Sequence, residues 1–250
     1  MIHLKNVSKS FPGIQALHNI NLAIPAEQTT VLIGPSGCGK STLIRLIIGL
    51  IPLDSGNILV NQQNINRSNL PEIRKNVGYV IQEGGLFPHM TSRENITLMA
   101  RQAGFDKKKS EQRLLELAEL TKFPGNALDR YPLMLSGGQQ QRVSLMRALM
   151  LDPDILLMDE PLGSLDPMIR YDLQEDLKSI FRELKKTVLL VTHDLGEAGY
   201  FGDVIVLMKE GTLVQKGSLD DLLNLPADSF VTQFIRAQRA FDIGPEGSRG

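Results

Sequence analysis

The sequence has few of the features that mark secreted, membrane-spanning or nucleic-acid-binding proteins. Its 250 residues include one cysteine, no tryptophan and 5% aromatic residues, and the formal net charge is −1. A single cysteine excludes an internal disulfide and favours the cytoplasm. The near-neutral charge offers no basic surplus for nucleic acid or anionic lipid. The longest apolar runs, such as 46–51, fall far short of the roughly 18 residues that a membrane span needs.

The order of apolar runs predicts one α/β domain over residues 1–241, in which amphipathic helices alternate with the strands of a mostly parallel sheet. The start of the chain is predicted to form an antiparallel β subdomain, and residues from about 88 to 151 a helical insertion. Residues 242–250 are predicted to be a disordered tail. No signal peptide is expected, since a predicted strand already begins at Ile2. Strands are predicted at 2–7, 20–24, 30–33, 57–61, 77–81, 155–158 and 187–191, with a hairpin at 203–216, and the helices include 41–50 and 111–120.

Two of the predicted helices have a clear apolar side. The long helix between the strands at 155–158 and 187–191 places Ile169, Leu173, Leu177, Ile180 and Leu184 on one face. The helix at 111–120 is predicted to bury Leu114, Leu115, Leu117 and Ala118.

A glycine-rich segment directly after the strand at 30–33 fits the phosphate-binding pattern G-x-x-x-x-G-K-[ST], and a helical pattern follows it, as the motif requires. Glycines let backbone N–H groups converge on phosphate oxygens, and the helix N-terminus adds a positive pole. Lys40 would reach the terminal phosphates, and the hydroxyl of Ser41 would bind Mg²⁺. The position of Cys38 at a helix N-terminus also predicts a reactive thiol. The predicted phosphate-binding residues are Gly34, Ser36, Gly37, Cys38, Gly39, Lys40, Ser41 and Thr42.

Two further segments carry polar groups that suit phosphate chemistry. Asp159 and Glu160 follow the apolar strand at 155–158, where they are predicted to hold Mg²⁺ and to orient or deprotonate water, respectively. The alternative is a solvated turn after a strand. Ser136 is a good helix N-cap, and the glycines after it would allow a phosphate to approach the helix. Taken alone, that segment is equally compatible with an ordinary glycine-capped helix.

Together these segments resemble the nucleotide-binding subunits of ATP-binding cassette (ABC) transporters over residues 1–235. The resemblance implies a P-loop NTPase core and an active ATPase that uses ATP and Mg²⁺. Gly34–Thr42 matches the family's Walker A loop, 135–139 its LSGGQ signature and 156–160 its Walker B strand. The smaller motifs match in the family's order: Gln82 as the Q-loop glutamine, Asp166 in the D-loop, His193 as the switch histidine and Phe11 as the aromatic residue that stacks on adenine.

The resemblance implies a head-to-tail dimer in which two copies sandwich two ATP molecules. The catalytic residues would be Lys40, Glu160 and His193, and the metal ligands would be Ser41, Gln82 and Asp159. Ser136, Gly138 and Gln139, with Asp166, would complete the site of the other copy. Three assignments have plain alternatives: Phe11 could pack in the core, and Gln82 and His193 would mean little outside this context.

As a member of this family the chain would act at the cytoplasmic face of the membrane, as a peripheral subunit. Its partners would be transmembrane permease subunits, which would contact the region 82–94, and indirectly a substrate-binding protein; no nucleic-acid partner is expected. Residues 80–91 and 208–217 resemble the glycine betaine and choline importers, and 86–91 is shared with amino-acid importers. Two other possibilities are a non-transport ABC ATPase and an interaction module with a degenerate nucleotide site. The intact Lys40, Glu160 and His193 disfavour the second of these.

Overall fold

A computed structural model describes residues 2–82, 85–163 and 165–242 of the chain, with side chains through residue 238. The described chain contains two sheets and a set of helices that cover them. The strands are β1 Ile2–Phe11, β2 Ile14–Ile24, β3 Thr29–Ile33, β4 Ser55–Val60, β5 Gln63–Asn64, β6 Val77–Val80, β7 Ile155–Asp159, β8 Thr187–Val191, β9 Val204–Lys209 and β10 Thr212–Gly217. The helices are α1 Lys40–Ile47, α2 Leu70–Lys75, α3 Ser92–Gln102, α4 Lys107–Leu120, α5 Gly137–Leu149, α6 Pro167–Leu184, α7 Leu195–Phe201, α8 Leu219–Asn224 and α9 Ser229–Asp242.

The larger sheet has six strands in the order β10-β9-β3-β8-β7-β6, and all of its neighbours are parallel except the pair β9 and β10. Every residue of β3, β7 and β8 is buried. Strands covered by helices on both faces carry continuous apolar runs, which is why these three strands were visible in the sequence. Their parallel order brings the carboxyl ends of β3, β7 and β8 to one edge, where the site lies.

The smaller sheet is antiparallel and has the order β2-β1-β4-β5. Its first hairpin is longer than predicted, because β1 continues to Phe11 and β2 begins at Ile14, where the prediction gave 2–7 and 20–24. Pro12 and Gly13 form the turn, and Gly13 has φ 78°. The outer half of this hairpin is largely exposed, so its residues carry no apolar alternation that would predict a strand.

The helices follow the predicted pattern with four differences, the first of which is that α4 begins at Lys107 and not at residue 111. Helix α1 ends at Ile47, and Gly49 (φ 63°) lies in the turn beyond it. On α4, Leu115 is 54% exposed, so its predicted burial is wrong; residues 114, 117 and 118 form the buried stripe. Helix α9 includes Asp242, the first residue of the predicted tail, and residues 243–250 lie outside the described part of the chain. On α6, the central positions Leu173, Leu177 and Ile180 are buried, and Ile169 and Leu184 are half-buried.

Helices α3, α4 and α5 pack on one another beside the larger sheet. They lie within the region predicted as a helical insertion, whose boundaries stay a prediction. None of the described helices is both long enough and apolar enough to cross a membrane.

Candidate functional site

The glycine-rich loop joins β3 to α1 and depends on glycine for both its shape and its packing. Gly34, Gly37 and Gly39 have φ values of 147°, 79° and 106°. A Cβ at Gly34 would lie 2.2 Å from the carbonyl oxygen of Met208, and one at Gly39 would lie 2.6 Å from that of Ala16. Any side chain at either position would therefore displace backbone, so the loop is wedged against β2 and β9.

Lys40 bends back over this loop. Its side chain is buried, and the ammonium donates hydrogen bonds to the carbonyl oxygens of Gly34 at 2.8 Å and Pro35 at 3.1 Å. These contacts hold a positive charge at the mouth of the loop, next to the N-terminus of α1. Of the other predicted loop residues, Ser36 and Gly37 are exposed, and Ser41 and Thr42 are half-buried.

Cys38 is buried and lies 3.8 Å from the Lys40 ammonium. Burial raises the pKa of its thiol and outweighs the opposing effect of the Lys40 charge. The expectation of a reactive cysteine is therefore wrong, since a thiol becomes a nucleophile only as the thiolate.

Ser41 and Asp159 bring the loop and β7 together. The Ser41 hydroxyl donates a hydrogen bond of 2.9 Å to Oδ1 of Asp159, which is 1% exposed. Burial raises the pKa of Asp159, the Ser41 hydrogen bond opposes this rise, and the adjacent Glu160 charge adds to it. A hydroxyl and a carboxylate in contact form an oxygen donor set of the kind that hard divalent cations prefer.

Glu160 lies one residue beyond β7 in a left-handed conformation, with φ 45°. Its N–H donates to the carbonyl oxygen of Val191 at 3.0 Å, which fastens the turn to β8. Oε2 of Glu160 lies 3.4 Å from Nδ1 of His193, whose side chain is 56% exposed. The parallel strands β7 and β8 thus place a carboxylate and an imidazole next to each other at the same end of the sheet, where both are accessible to solvent.

Phe11 and Gln82 lie at the ends of strands. Phe11 ends β1 with 42% of its surface exposed, so the alternative of core packing is wrong. The ammonium of Lys9 lies 5.5 Å from the centroid of its ring. Gln82 is exposed and follows β6, in which Val80 pairs with Met158 of β7. Gln82 therefore leaves the sheet beside the strand that carries Asp159.

The signature residues form the start of α5. Ser136 caps the helix by accepting from the Gln139 N–H at 3.3 Å, and the Gln139 side chain accepts from the Ser136 N–H at 3.1 Å. Gly138 is buried, and a Cβ there would lie 2.6 Å from Ile169 of α6. Asp166 caps α6 by accepting from the Ile169 N–H at 3.1 Å. The structure thus brings the signature and Asp166 together. In the described part of the chain, no hydrogen bond or ion pair joins them to the glycine loop or Glu160.

Two polar clusters near the site were not found from the sequence. Asp54 accepts from the Lys9 ammonium at 2.6 Å and from the Ser10 N–H at 2.7 Å, just before Phe11, and the Lys9 hydrogen bond lowers the pKa of Asp54. The other cluster joins Thr192 to Glu197 beyond β8. No local signal announces the first cluster, because 45 residues separate its partners. In the part of the chain that the structure describes, no cluster of three or more His, Cys, Asp or Glu side chains could hold a metal.

A glycine loop after a parallel strand, with two carboxylates at the end of a nearby parallel strand, is typical of the class of P-loop nucleotide-binding domains. The family profile described as ABC transporter matches residues 17–163. The dimeric ATP-binding cassette MJ0796, solved with ADP and Pi, is 33% identical with a TM-score of 0.80, over 88% of this chain and 99% of that one. CbiO1 from Clostridium perfringens, part of an ABC transporter complex, is 25% identical with a TM-score of 0.82, over 97% of this chain and 98% of that one.

Curated relatives agree. The osmoprotectant import ATP-binding protein OsmV of Salmonella typhimurium is 46% identical, over 96% of this chain and 64% of that protein. The choline transport ATP-binding protein OpuBA of Bacillus subtilis is 45% identical, over 96% of this chain and 63% of that protein. The chain therefore spans slightly less than two thirds of the length of these two relatives. The chain belongs to the ABC transporter family, and the predicted fold class is confirmed.

Proposed function

We propose that this chain binds and hydrolyses ATP as the nucleotide-binding subunit of an importer for small solutes of the quaternary-amine osmoprotectant type. The observation that carries the proposal is the convergence of Lys40, the Ser41–Asp159 pair and the Glu160–His193 pair at one edge of the parallel sheet. Phosphoryl transfer depends mainly on positioning and on charge stabilisation, and these residue types supply both.

In this proposal the loop amides and Lys40 hold the phosphates. The Lys40 ammonium exchanges the carbonyl oxygens of Gly34 and Pro35 for phosphate oxygens, which are stronger acceptors for a cation. Phe11 offers an exposed ring on which adenine can stack. The remaining loop residues, Ser36, Gly37, Cys38, Gly39 and Thr42, contribute backbone or hydroxyl contacts to the phosphates.

The residues present fit Mg²⁺, since the buried Asp159 carboxyl already accepts a hydrogen bond from the Ser41 hydroxyl at 2.9 Å. Ser41, Asp159 and the amide oxygen of Gln82 would hold the ion, which neutralises phosphate charge when bound.

Glu160 acts on the attacking water in this mechanism. Its carboxylate orients the water or accepts its proton, and His193 beside it contacts the γ-phosphate. The hydrogen bond from the Glu160 N–H to Val191 fixes the Glu160 backbone relative to β8, and the contact with His193 restrains its carboxylate. A glutamate held in this way loses little entropy when the reaction begins.

The signature residues serve a second copy of the chain. Ser136, Gly138, Gln139 and Asp166 have no described polar contact to the glycine loop of their own chain, and MJ0796 was solved as a dimer with ADP and Pi. Two copies related by a two-fold axis would each complete the other's site. This is the arrangement in which both copies become competent at once.

The transport role is supported by the names of relatives such as OsmV and OpuBA. Permease subunits in the membrane and a substrate-binding protein are the corresponding partners, with this chain at the cytoplasmic membrane face. An importer of amino acids or other solutes is the second candidate, because residues 86–91 are similar in that group. A non-transport ABC ATPase is an outcome of the tests below.

The proposed chemistry is tested by Glu160→Gln and Lys40→Ala. Glu160→Gln should retain ATP affinity, lose hydrolysis by about 100-fold or more, and form an ATP-dependent dimer, because the base is removed while the phosphate contacts stay. Lys40→Ala should weaken ATP binding itself.

Calorimetry measures the ATP affinity of both variants, phosphate release measures hydrolysis and light scattering measures dimer formation. Normal turnover by Glu160→Gln would remove this residue from the reaction, and unchanged affinity in Lys40→Ala would contradict the phosphate role of the loop.

The solute is tested with the chain and its copurifying permease in vesicles, together with the binding protein. Stimulation of ATPase activity by glycine betaine or choline supports the proposed solute class. Stimulation by an amino acid keeps the mechanism and replaces the solute. ATPase activity that responds to neither would contradict import of both classes.

A further inference from the structure

A closed set of three hydrogen bonds surrounds the backbone at His193. The Thr192 hydroxyl donates to Oε2 of Glu197 at 2.6 Å and accepts from the Asp194 N–H at 3.1 Å. The Glu197 N–H donates to Oδ1 of Asp194 at 2.9 Å. The Thr192 hydroxyl therefore ties the residues on either side of His193 directly to each other, and the Glu197 carboxylate holds that hydroxyl in place.

Glu197 lies in an unusual place for a carboxyl group. It is 4% exposed and Thr192 is 3% exposed, and burial raises the pKa of Glu197. Burying a carboxyl group costs free energy, and an apolar side chain of similar size often fills such a position at lower cost. The carboxyl group at this position therefore suits a task other than packing, and its hydrogen bond with Thr192 indicates which segment it serves.

The ring of His193 depends on its backbone for orientation. More than half of its side chain is exposed, and the described polar contact of its ring is the one with Glu160, at 3.4 Å between Nδ1 and Oε2. On the other side, the Thr192 N–H donates to Leu32 of β3 at 3.1 Å, which anchors the ring-bearing segment to the sheet. The three hydrogen bonds restrain the direction in which the chain leaves β8, and with it the backbone that carries the ring.

We propose that Glu197 is a positioning residue that holds His193 against Glu160 for ATP hydrolysis. The inference rests on the role of His193 in the proposed function. Glu197 acts through the Thr192 hydroxyl and the Asp194 backbone, and it touches neither the nucleotide nor the reacting water. Its contribution is thus to turnover and not to ATP affinity.

The test compares Glu197→Ala with Glu197→Gln, using Asp221→Ala as control. The glutamine carbonyl can still accept from Thr192, so Glu197→Gln should keep kcat within about threefold, whereas Glu197→Ala should lower kcat by about tenfold or more. ATP affinity should be unchanged in both. Asp221 likewise accepts a hydrogen bond from a hydroxyl at the start of a helix, that of the N-cap Ser218 of α8 at 2.7 Å, so its removal costs a hydroxyl–carboxylate bond without touching the His193 segment.

A Thr192→Val variant gives the same information if Glu197→Ala does not fold, since it removes the hydroxyl and keeps the bulk. In a His193→Ala background, neither Glu197→Ala nor Thr192→Val should lower turnover further, because Glu197 and Thr192 are proposed to act only through His193. An equal loss in Glu197→Gln and Glu197→Ala, a further loss without His193, or a kcat unchanged in Glu197→Ala would overturn the inference while the proposed function stands. Normal turnover by His193→Ala, or no hydrolysis by the unmodified chain, would instead overturn the function on which it rests.

Discussion

Among single residues, Glu160 combines the proposed chemistry with local strain. Its φ of 45° lies in the left-handed region, which costs an L residue with a Cβ about 1–2 kcal/mol. Burial raises the pKa of the adjacent Asp159, and the charge of Glu160 adds to that rise. Strain held by the surrounding structure is common at functional positions, and here the Val191 hydrogen bond and the parallel strands supply the restraint.

Replacing this residue by glycine separates stability from activity. Glu160→Gly should raise the free energy of unfolding by about 1 kcal/mol, because glycine adopts the left-handed conformation freely, and should abolish hydrolysis. Glu210→Gly is the matched control, since Glu210 has φ 46° in the β9–β10 turn and no part in the site. It should be stabilised similarly and keep normal turnover. Chemical denaturation and phosphate release measure both, and a loss of stability in Glu160→Gly alone would contradict the strain.

Among the elements, α5 connects the signature to the rest of the molecule. A Cβ at Gly78 of β6 would lie 2.5 Å from the carbonyl oxygen of Ala148, so the helix and the strand touch backbone to backbone. Arg142 of α5 lies 2.5 Å from Asp176 of α6, and Lys122 lies 2.7 Å from the same carboxylate. Helix α5 is thereby held against both the sheet and α6. These contacts fix the position of the signature residues at its N-terminus.

Gly78→Ala tests the close approach of α5 to β6. The added methyl group meets backbone and must displace the helix, so the protein should lose about 1–3 kcal/mol of stability. Gly125→Ala is the control, since a Cβ there meets no atom within 4 Å. Thermal unfolding of the two variants measures the difference. Equal stability of Gly78→Ala and Gly125→Ala would show that α5 moves away from β6 without loss of free energy.

The Asp176 carboxylate predicts a pH dependence. Burial alone would raise its pKa, but hydrogen bonds from Lys122 and Arg142 outweigh burial and lower it. A lowered folded pKa means that the stabilisation is present above the unfolded pKa of about 4 and is lost as the pH falls through the folded value. Asp176→Asn should therefore be less stable than the unmodified chain at pH 7, and the gap should shrink below about pH 4. Urea titrations from pH 3 to pH 7 test this, and a gap independent of pH would contradict it.

At the scale of the whole molecule, a cleft of about 480 Å³ lies between the sheet and the helices. Apolar side chains from β6 and from α3 line it, with Arg74 and Arg147 also in its wall. Leu98 and Met99 of α3 line it together with Tyr79 and Ile81. Phe87, which belongs to the region 82–94 that the family resemblance assigns to a permease contact, lines it as well. A groove of this composition suits an amphipathic helix.

Leu98→Asp tests the cleft as the permease contact. An aspartate in this apolar wall should reduce copurification of the permease and leave the ATPase activity of the isolated chain unchanged. Leu115→Asp on the exposed side of α4 is the control and should copurify normally. Quantified pull-down from detergent-solubilised membranes measures the ratio. Equal recovery of the permease by both variants would place its contact elsewhere.

The sequence by itself determined the parts of this protein whose signals are local. The glycine loop needs a strand, positive φ angles and a helix start within a dozen residues, and each leaves a residue-type signature. Strands β3, β7 and β8 each contain a run of three or four consecutive apolar residues, because both of their faces are buried. The family resemblance therefore followed from short segments, and the fold class and the family were predicted correctly.

Only the tertiary structure decided the contacts between residues that are far apart in the sequence or that lie in segments without an apolar pattern. Asp54 and Lys9 are 45 residues apart, and the outer hairpin of β1 and β2 is too exposed to have an apolar pattern. The burial of Leu115 was predicted wrongly because a periodicity defines the apolar face of a helix only to about one residue. Packing of α4 against α3 and α5 decided which side is covered. The hydrogen bonds that hold His193 involve a threonine, an aspartate and a glutamate with no motif of their own. Their relation to Glu160 is visible only when β7 and β8 lie side by side, because parallel pairing brings together strand ends that are far apart in the sequence.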